Sequence, residues 1–286
     1  MSLHHYTGVI ASNVQTVMPP IMYGTAWKKE NTTLLVIAAV LAGFKGIDTA
    51  CQPMHYREDL VGNAVTELGK SFGKKRESLF IQTKFTLVEG QDPKSIPYDP
   101  KAPIPEQVKQ SIQVSLKNLG TNYIDSYVLH GPYDKHEDNM LAWGVLEQHH
   151  KNGILKQIGL SNVYELDVLK KIYSDAQIKP SVLQNRFYKD TNFDKEIREF
   201  CKSNNIQYQS FWTLSHNPEL INNTELKAVA AELNKSPQQI FYRAVMDLGI
   251  VPLDGTTNPK HMLEDLEVPL LSPVIDRIPT VKKVIA

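Results

Sequence analysis

Four residues in the first half of the chain have the chemical types and the setting for proton transfer. In GFKGIDTACQPMHYREDLVG (43–62) a short apolar run ends in Asp48, and His55 and Tyr56 follow in a polar loop. Lys84 falls near the end of SLFIQTKF (78–85), and His130 closes IDSYVLH (124–130). A phenol is a poor acid at neutral pH, with an ordinary pKa of about 10. An ammonium beside it stabilises the phenolate and lowers that value, while a carboxylate keeps the ammonium charged and in place. Asp48 would hold Lys84, Lys84 would tune Tyr56, and Tyr56 would hand its proton to a developing alkoxide. His130 could give a second hydrogen bond to the same oxygen. Each residue also has a plain structural reading. Asp48 reads as a helix N-cap before Thr49-Ala50, Lys84 as a solvated strand end, His130 as a satisfied core histidine, and Tyr56 as packing. Their recurrence at the ends of apolar runs is what points to a site.

Those runs belong to a pattern that repeats along the chain. Short β-branched segments at 20–25, 46–50, 78–85, 124–130, 156–162, 181–187, 206–212 and 249–255 read as strands. Amphipathic segments at 32–43, 58–72, 105–119, 137–151, 164–174, 193–204, 222–246 and 259–267 read as helices, with a break at Ser236-Pro237. Strict alternation of the two predicts a (β/α)8 TIM barrel, a single domain over residues 1–286. A doubly wound sheet would want a Gly-rich phosphate turn after its first strand, and neither GxGxxG nor GxxxxGK[ST] occurs. In such barrels chemistry gathers at the C-terminal ends of the strands, where Ser161, Asn162 and Gln184 join the four residues above. One long loop, 86–103, is rich in Pro and Asp and would lie over that face. A short tail, 270–286, follows the last helix.

Composition excludes several classes. Lys+Arg and Asp+Glu both number 31, which argues against a nucleic-acid or anionic-membrane binder. Cys51 and Cys201 have no partnering pattern and read as free thiols in a reducing compartment. The opening MSLHHYTGVI lacks the layout of a secretory signal, and the longest apolar run, 34–44, is too short to span a bilayer. A cytoplasmic protein, monomeric or weakly dimeric, is expected, with a small molecule as its partner.

With the elements in place, the chain resembles the aldo-keto reductase family. GFKGIDTA…HYREDLVG is similar to that family's G-[FY]-R-x-I-D-T-A…Y-x-N-E-x-x-V-G segment, and IQTKF to its catalytic-lysine strand. NLGTNYIDSYVLHGP, KQIGLSNV, PSVLQNRFY and SPQQIFYRAVMDLGIVPLDGTT continue the likeness in order, over about residues 18–270. The family usually places its tyrosine five residues after the aspartate, whereas here Pro53 stands there and Tyr56 follows at eight. The longer loop resembles a fungal branch that includes conjugated polyketone and ketopantoyl lactone reductases. On that likeness Tyr56 is the acid, and His55 its rival.

The resemblance implies NADPH lying extended across the barrel mouth. Ser161, Asn162 and Gln184 would hold its carboxamide, and Phe211 would stack on the nicotinamide. Gly24, Thr25 and Trp27 occupy the first-strand loop, with Trp27 and His55 as walls of the substrate pocket. At the phosphate end the family often reads I-P-K-S, and here Leu253 and Asp254 replace Lys and Ser. Asp254 would repel a phosphate if it faced inward. Gly255, Thr256 and Thr257 precede a helix N-terminus that favours anions, and Lys260 and His261 add cationic groups. The implied activity is carbonyl reduction, and the short tail suggests an open pocket for α-diketones or keto-lactones. Two rivals remain: a metal-dependent barrel hydrolase, for which only Asp48 and His130 qualify as ligands, and a non-catalytic NADP(H)-binding regulatory subunit of the same fold. No metal is expected.

Overall fold

The computed structural model describes residues 17–286, so the opening MSLHHYTGVI lies outside the described residues. Eight parallel strands form a closed barrel in sequence order. They are β1 (Met22–Gly24), β2 (Gly46–Asp48), β3 (Phe80–Phe85), β4 (Ile124–Leu129), β5 (Leu155–Ser161), β6 (Val182–Arg186), β7 (Gln207–Phe211) and β8 (Val251–Asp254). The first and last strands close the ring, with Met22 opposite Leu253 and Tyr23 opposite both Ile47 and Asp254. The expected eight-strand pattern is therefore observed, with every strand but β5 shorter than its apolar run and β5 shifted by one residue.

The helices are α1 (Thr32–Ala42), α2 (Glu58–Phe72), α3 (Ile104–Leu119), α4 (His136–Lys151), α5 (Leu166–Asp175), α6 (Lys195–Ser203), α7 (Pro218–Ile221), α8 (Thr224–Glu232), α9 (Pro237–Asp247), α10 (Pro259–Glu267) and α11 (Pro279–Ile285). The expected break at Ser236 is a capping box. The Ser236 hydroxyl accepts from Gln239 N at 3.2 Å, and the Gln239 side chain accepts from Ser236 N at 3.0 Å. Pro237 opens α9 in the first turn, where its missing N–H leaves no intrahelical bond unmade. A main core of Val, Ile, Leu and aromatic side chains fills the space between sheet and helices, with Trp143 fully buried.

Pleating then sorts the strand residues into two sets, since alternate side chains face opposite sides. Met22, Phe80 and Val251 form an apolar plug at the N-terminal end of the barrel interior. Above it Gln82, Ser126 and Gln209, all fully buried, make a polar layer, and Asp48, Lys84 and Gln184 continue that layer toward the mouth. Facing outward from β4, Asp125 accepts from the Arg76 guanidinium at 2.7 Å and from Ile81 N at 2.9 Å, a structural anchor.

Gly62 lets α2 and α3 meet closely: a Cβ there would fall 1.8 Å from Asn118 O. That approach brings Asn118 to Glu58, which is buried at the start of α2 and also takes a hydrogen bond from Thr83. The 86–103 loop is pinned to the rim. Tyr98 donates to Thr86 O at 2.6 Å, and Gln91 donates to Cys51 O at 3.0 Å. The tail carries α11, whose Val281 and Ile285 are buried, and Thr280 is held by Glu225 of α8 at 2.8 Å. Among the described residues no helix is long and apolar enough to cross a membrane.

Candidate active site

The four expected proton-transfer residues converge at the barrel mouth. Asp48 ends β2 facing the interior; it is not a helix cap. Its Oδ2 accepts from Lys84 Nζ at 2.6 Å, and Lys84 also donates to Thr49 O at 2.9 Å. Lys84 is fully buried, so it is not a solvated strand end. The two residues share one face because β2 and β3 pair with Asp48 opposite Gln82, two residues before Lys84.

Tyr56 reaches this pair by a turn. His55 N and Tyr56 N both donate to Gln52 O, at 3.2 and 3.0 Å, which folds the extra loop residues out of the way. The Tyr56 ring then lies with its centroid 5.2 Å from Lys84 Nζ and 5.9 Å from the His130 ring, edge to face. His130 Nδ1 contacts Thr86 Oγ1 at 2.6 Å, which orients the imidazole from the start of the long loop. His55 packs its ring against Trp27, centroids 4.0 Å apart, and Trp27 is 64% exposed.

The electrostatics differ from expectation in one respect. Burial first, and then the charge of Asp48, push the Tyr56 phenol above its ordinary range, opposite to the expected lowering. The physical reason is burial, which penalises the phenolate, with the Asp48 carboxylate paired to Lys84 adding to it. Burial pulls Lys84 down, against the raising effect of Asp48. His130 is held well below the ordinary histidine range by burial, Lys84 and His55. At neutral pH the mouth therefore presents a protonated phenol beside a neutral imidazole.

Behind Asp48 lies a buried amide network that the sequence reading did not find. Asp48 Oδ1 accepts from Gln82 Nε2 at 2.8 Å and from Gln184 Nε2 at 3.0 Å. Gln209 Oε1 accepts from the same two amides at 2.7 and 2.8 Å, and Ser126 donates to Gln82 Oε1 at 2.8 Å. The available signal was a polar residue two positions before Lys84 and before Phe211, on the same pleat face.

The expected carboxamide holders stand together on adjacent strands, but their donor groups are already engaged. Ser161 donates to Gln184 O at 2.7 Å, Asn162 donates to His130 O at 2.8 Å, and Gln184 is tied to Asp48. Phe211 ends β7, in register with Arg186. Trp27, Asn162 and Trp212, at the ends of three strands, hold positive φ of 63, 55 and 62°. Left-handed backbone at bulky residues is strained and concentrates at sites of function.

The phosphate end is rearranged relative to expectation. Gly24 and Thr25 lie on the rim, where Thr25 donates to Asp48 O at 2.9 Å. Asp254 does not face inward: it is 2% exposed, and its Oδ1 accepts from Thr256 N at 2.8 Å. Burial and its neighbour Asp254 push Asp265 of α10 up to about 8, so the two carboxyls share a proton through the neutral range. The Thr256–Thr257 turn is partly self-satisfied, since Tyr23 donates to Thr256 O and Asn258 caps α10 through Lys260 N at 2.9 Å. Lys260 is exposed and sits 3.5 Å from Glu264, and His261 is exposed. Instead Lys28, which the sequence reading passed over, places its ammonium on Gly255 O beside Asp254. Among the described residues no group of three or more His, Cys, Asp or Glu side chains could hold a metal ion.

The sequence profile of the Aldo/keto reductase family matches residues 20–285. A glyoxal reductase of Bacillus subtilis is 30% identical over 85% of this chain and 80% of its own length. A methylglyoxal reductase of Yersinia pestis is 25% identical over 88% of this chain and 83% of its own. An aldo-keto reductase of the silkworm Bombyx mori, solved in complex with NADPH, superposes with a TM-score of 0.77 at 21% identity, over 93% of this chain and 84% of that one.

Proposed function

The chain belongs to the aldo/keto reductase family, and on that footing we propose that it is an NADPH-dependent carbonyl reductase with Tyr56 as proton donor. The observation that carries this reading is the convergence of Tyr56 on Lys84 and His130, with Lys84 locked to Asp48 at 2.6 Å. The residues at the mouth fit the cofactor by their chemistry. Phe211 offers a flat ring, Lys28 an ammonium at the phosphate end, and Asp254 is turned away from where a phosphate would lie. Ser161, Asn162 and Gln184 would hold the carboxamide. Gly255, Thr256, Thr257, Lys260 and His261, with Lys28, would surround the adenosine phosphate.

Bound NADPH would supply the two reducing electrons as hydride to the carbonyl carbon. The protein does the rest. Tyr56 O–H and the His130 imidazole point two donors at the carbonyl oxygen and polarise it before transfer. As negative charge develops there, the phenolic proton moves to it, giving the alcohol. Lys84 stabilises the phenolate left behind, and Asp48 keeps Lys84 charged despite burial. Trp27 and His55 form the outer wall, and α11 packs on the flank near α8.

Support for the substrate class comes from the small dicarbonyls named for two relatives, glyoxal and methylglyoxal. We take compact α-dicarbonyls and keto-lactones as the substrates. The eight-residue Asp48-to-Tyr56 spacing supports the fungal branch that reduces conjugated polyketones and ketopantoyl lactone.

The test is the initial rate of NADPH oxidation with methylglyoxal, isatin and ketopantoyl lactone, in the native protein and in Tyr56→Phe. The variant should lose about 10²- to 10⁴-fold in kcat while binding NADPH as before. Full turnover in Tyr56→Phe would remove Tyr56 as the acid, and loss of turnover in His55→Ala alone would assign it to His55. NADPH binding without turnover on any carbonyl would instead mark a regulatory subunit.

A further inference from the structure

His130 can give a hydrogen bond to a carbonyl oxygen only if the right nitrogen carries its proton. A neutral imidazole donates from one ring nitrogen and accepts at the other, and the bond made at one settles the state of the other. Burial, with Lys84 and then His55 adding to it, holds His130 neutral. Its Nδ1 lies 2.6 Å from Thr86 Oγ1, and that hydroxyl makes no other hydrogen bond among the described residues.

Thr86 is itself held from several sides. It is buried, and its carbonyl accepts from the Tyr98 hydroxyl at 2.6 Å and from Gln91 Nε2 at 3.2 Å. Tyr98 in turn packs its ring on Phe85, with centroids 5.3 Å apart. The Thr86 methyl sits tightly against Gly90, where a Cβ would fall 2.8 Å from Thr86 Cγ2. A β-branched side chain with its methyl seated has little rotamer freedom, so the hydroxyl stays on His130. The His130 main chain is tied as firmly: its N donates to Phe85 O at 2.8 Å, and its O accepts from Asn162 Nδ2 at 2.8 Å. Hydroxyl and imidazole therefore meet between two anchored backbones.

Two proton arrangements fit that contact, and they are not equivalent. With the proton on Nδ1, the imidazole would donate to Thr86 Oγ1, and the buried hydroxyl proton would have no acceptor among the described residues. A buried donor left unmatched is costly. With the hydroxyl donating to Nδ1, both groups are satisfied, and the imidazole proton sits on Nε2 across the ring. We propose that Thr86 is a positioning residue that fixes His130 in the Nε2–H tautomer, so that His130 meets the carbonyl oxygen with a donor. The reverse tautomer would turn a lone pair on that oxygen and repel it. The proposal rests on the reading of the mouth as a carbonyl-reducing site with His130 as the second donor. It gives the start of the 86–103 loop a part in the chemistry, because Tyr98 and Gln91 of that loop hold Thr86 in place.

The experiment reads the tautomer directly. The native protein, Thr86→Val and Thr86→Ser, isotopically labelled at the histidine ring nitrogens, are compared by NMR at neutral pH without cofactor. His130 is identified by the signals lost in His130→Gln. Native protein and Thr86→Ser should carry the proton on Nε2 and a bare Nδ1. Thr86→Val keeps the shape but lacks the hydroxyl, and it should show both tautomers. With NADPH and methylglyoxal, its kcat should fall about 10-fold, short of the roughly 10²- to 10³-fold that loss of a whole oxyanion donor costs, while NADPH affinity is unchanged. Thr86→Ser should restore kcat. Circular dichroism and the thermal midpoint establish that each variant is folded, and Thr86→Ala replaces Thr86→Val if that variant is not. A native His130 protonated on Nδ1 overturns the proposal. So does a folded Thr86→Val that keeps either the native tautomer or the native kcat, since a merely structural role moves only the midpoint. Native protein that holds the Nε2–H tautomer yet reduces no carbonyl would refute the proposed activity and leave the tautomer assignment standing, a distinct result.

Discussion

Around Asp48 the polar atoms are answered inside the barrel; around Asp254 they are answered by the loop that surrounds them. Asp48 draws donors from β3 and β6, and the Gln209 amide on β7 ties those donors together. Asp254 takes its one backbone donor from Thr256, two residues on, and meets a second carboxyl, Asp265, with the Lys28 ammonium nearby. The first region is a rigid cross-strand lattice that fixes a charge. The second is a local turn whose charge is softened by a shared proton. Reaction chemistry needs positions held to fractions of an ångström, which closed cross-strand bonding supplies. Gripping a phosphate needs exchangeable donors at the rim, and a self-satisfied turn can give those up to a ligand.

The contrast can be broken at its strongest point with Asp48→Asn. Removing one partner of a buried ion pair costs about 3–5 kcal/mol, and here Lys84 is left facing an amide. Urea unfolding should show a loss of that size, together with collapse of kcat. A loss under about 1 kcal/mol would mean the lattice carries little of the site's rigidity.

Gln209→Leu sharpens the same side of the comparison with a smaller effect. It strands the Gln82 and Gln184 amides at their shared acceptor, and an unsatisfied buried polar group costs about 1–3 kcal/mol. If the network only stabilises, the denaturation midpoint should move while kcat stays. We expect both to move, with the alkaline limb of the kcat profile shifted, because Asp48 sets the charge of Lys84. That limb should already lie below the ordinary lysine value of 10.5, since burial lowers Lys84.

The smallest effect tests the rim. Asp265 is raised to about 8, so the folded state holds a proton that the unfolded chain releases. Its contribution to stability is complete below the ordinary carboxylate range and is lost as pH rises through about 8. Native protein should lose about 1.4 kcal/mol between pH 7 and pH 9 relative to Asp265→Asn, the size of one pKa unit. Identical pH dependence of the two proteins in urea unfolding would show that no proton is shared there.

Much of the fold and the centre of the site was legible. The eight strands could be read because β-branched runs alternate with amphipathic segments, and Asp48, Lys84 and His130 because they end such runs. Tyr56 needed the family likeness, since nothing local says that the three extra loop residues fold away onto Gln52 O. Lys28, Gln82, Thr86 and Gln209 were missed for a common reason. Each is an unremarkable polar residue whose partner lies on another element, as Gln82 and Gln209 do across 127 positions. For Asp254 the sequence left the direction open, and one step of the pleat turned the carboxylate outward, away from the interior where it would have repelled a phosphate.

By itself, then, the sequence determined the order of elements, the inward face of each strand and the chemical types available at the mouth. These depend on local periodicity and on residue identity. Only the tertiary structure decided which of those groups meet. Barrel closure puts β1 beside β8 and sets the depth at which each side chain stands. Burial at that depth then raised the phenol and lowered the ammonium.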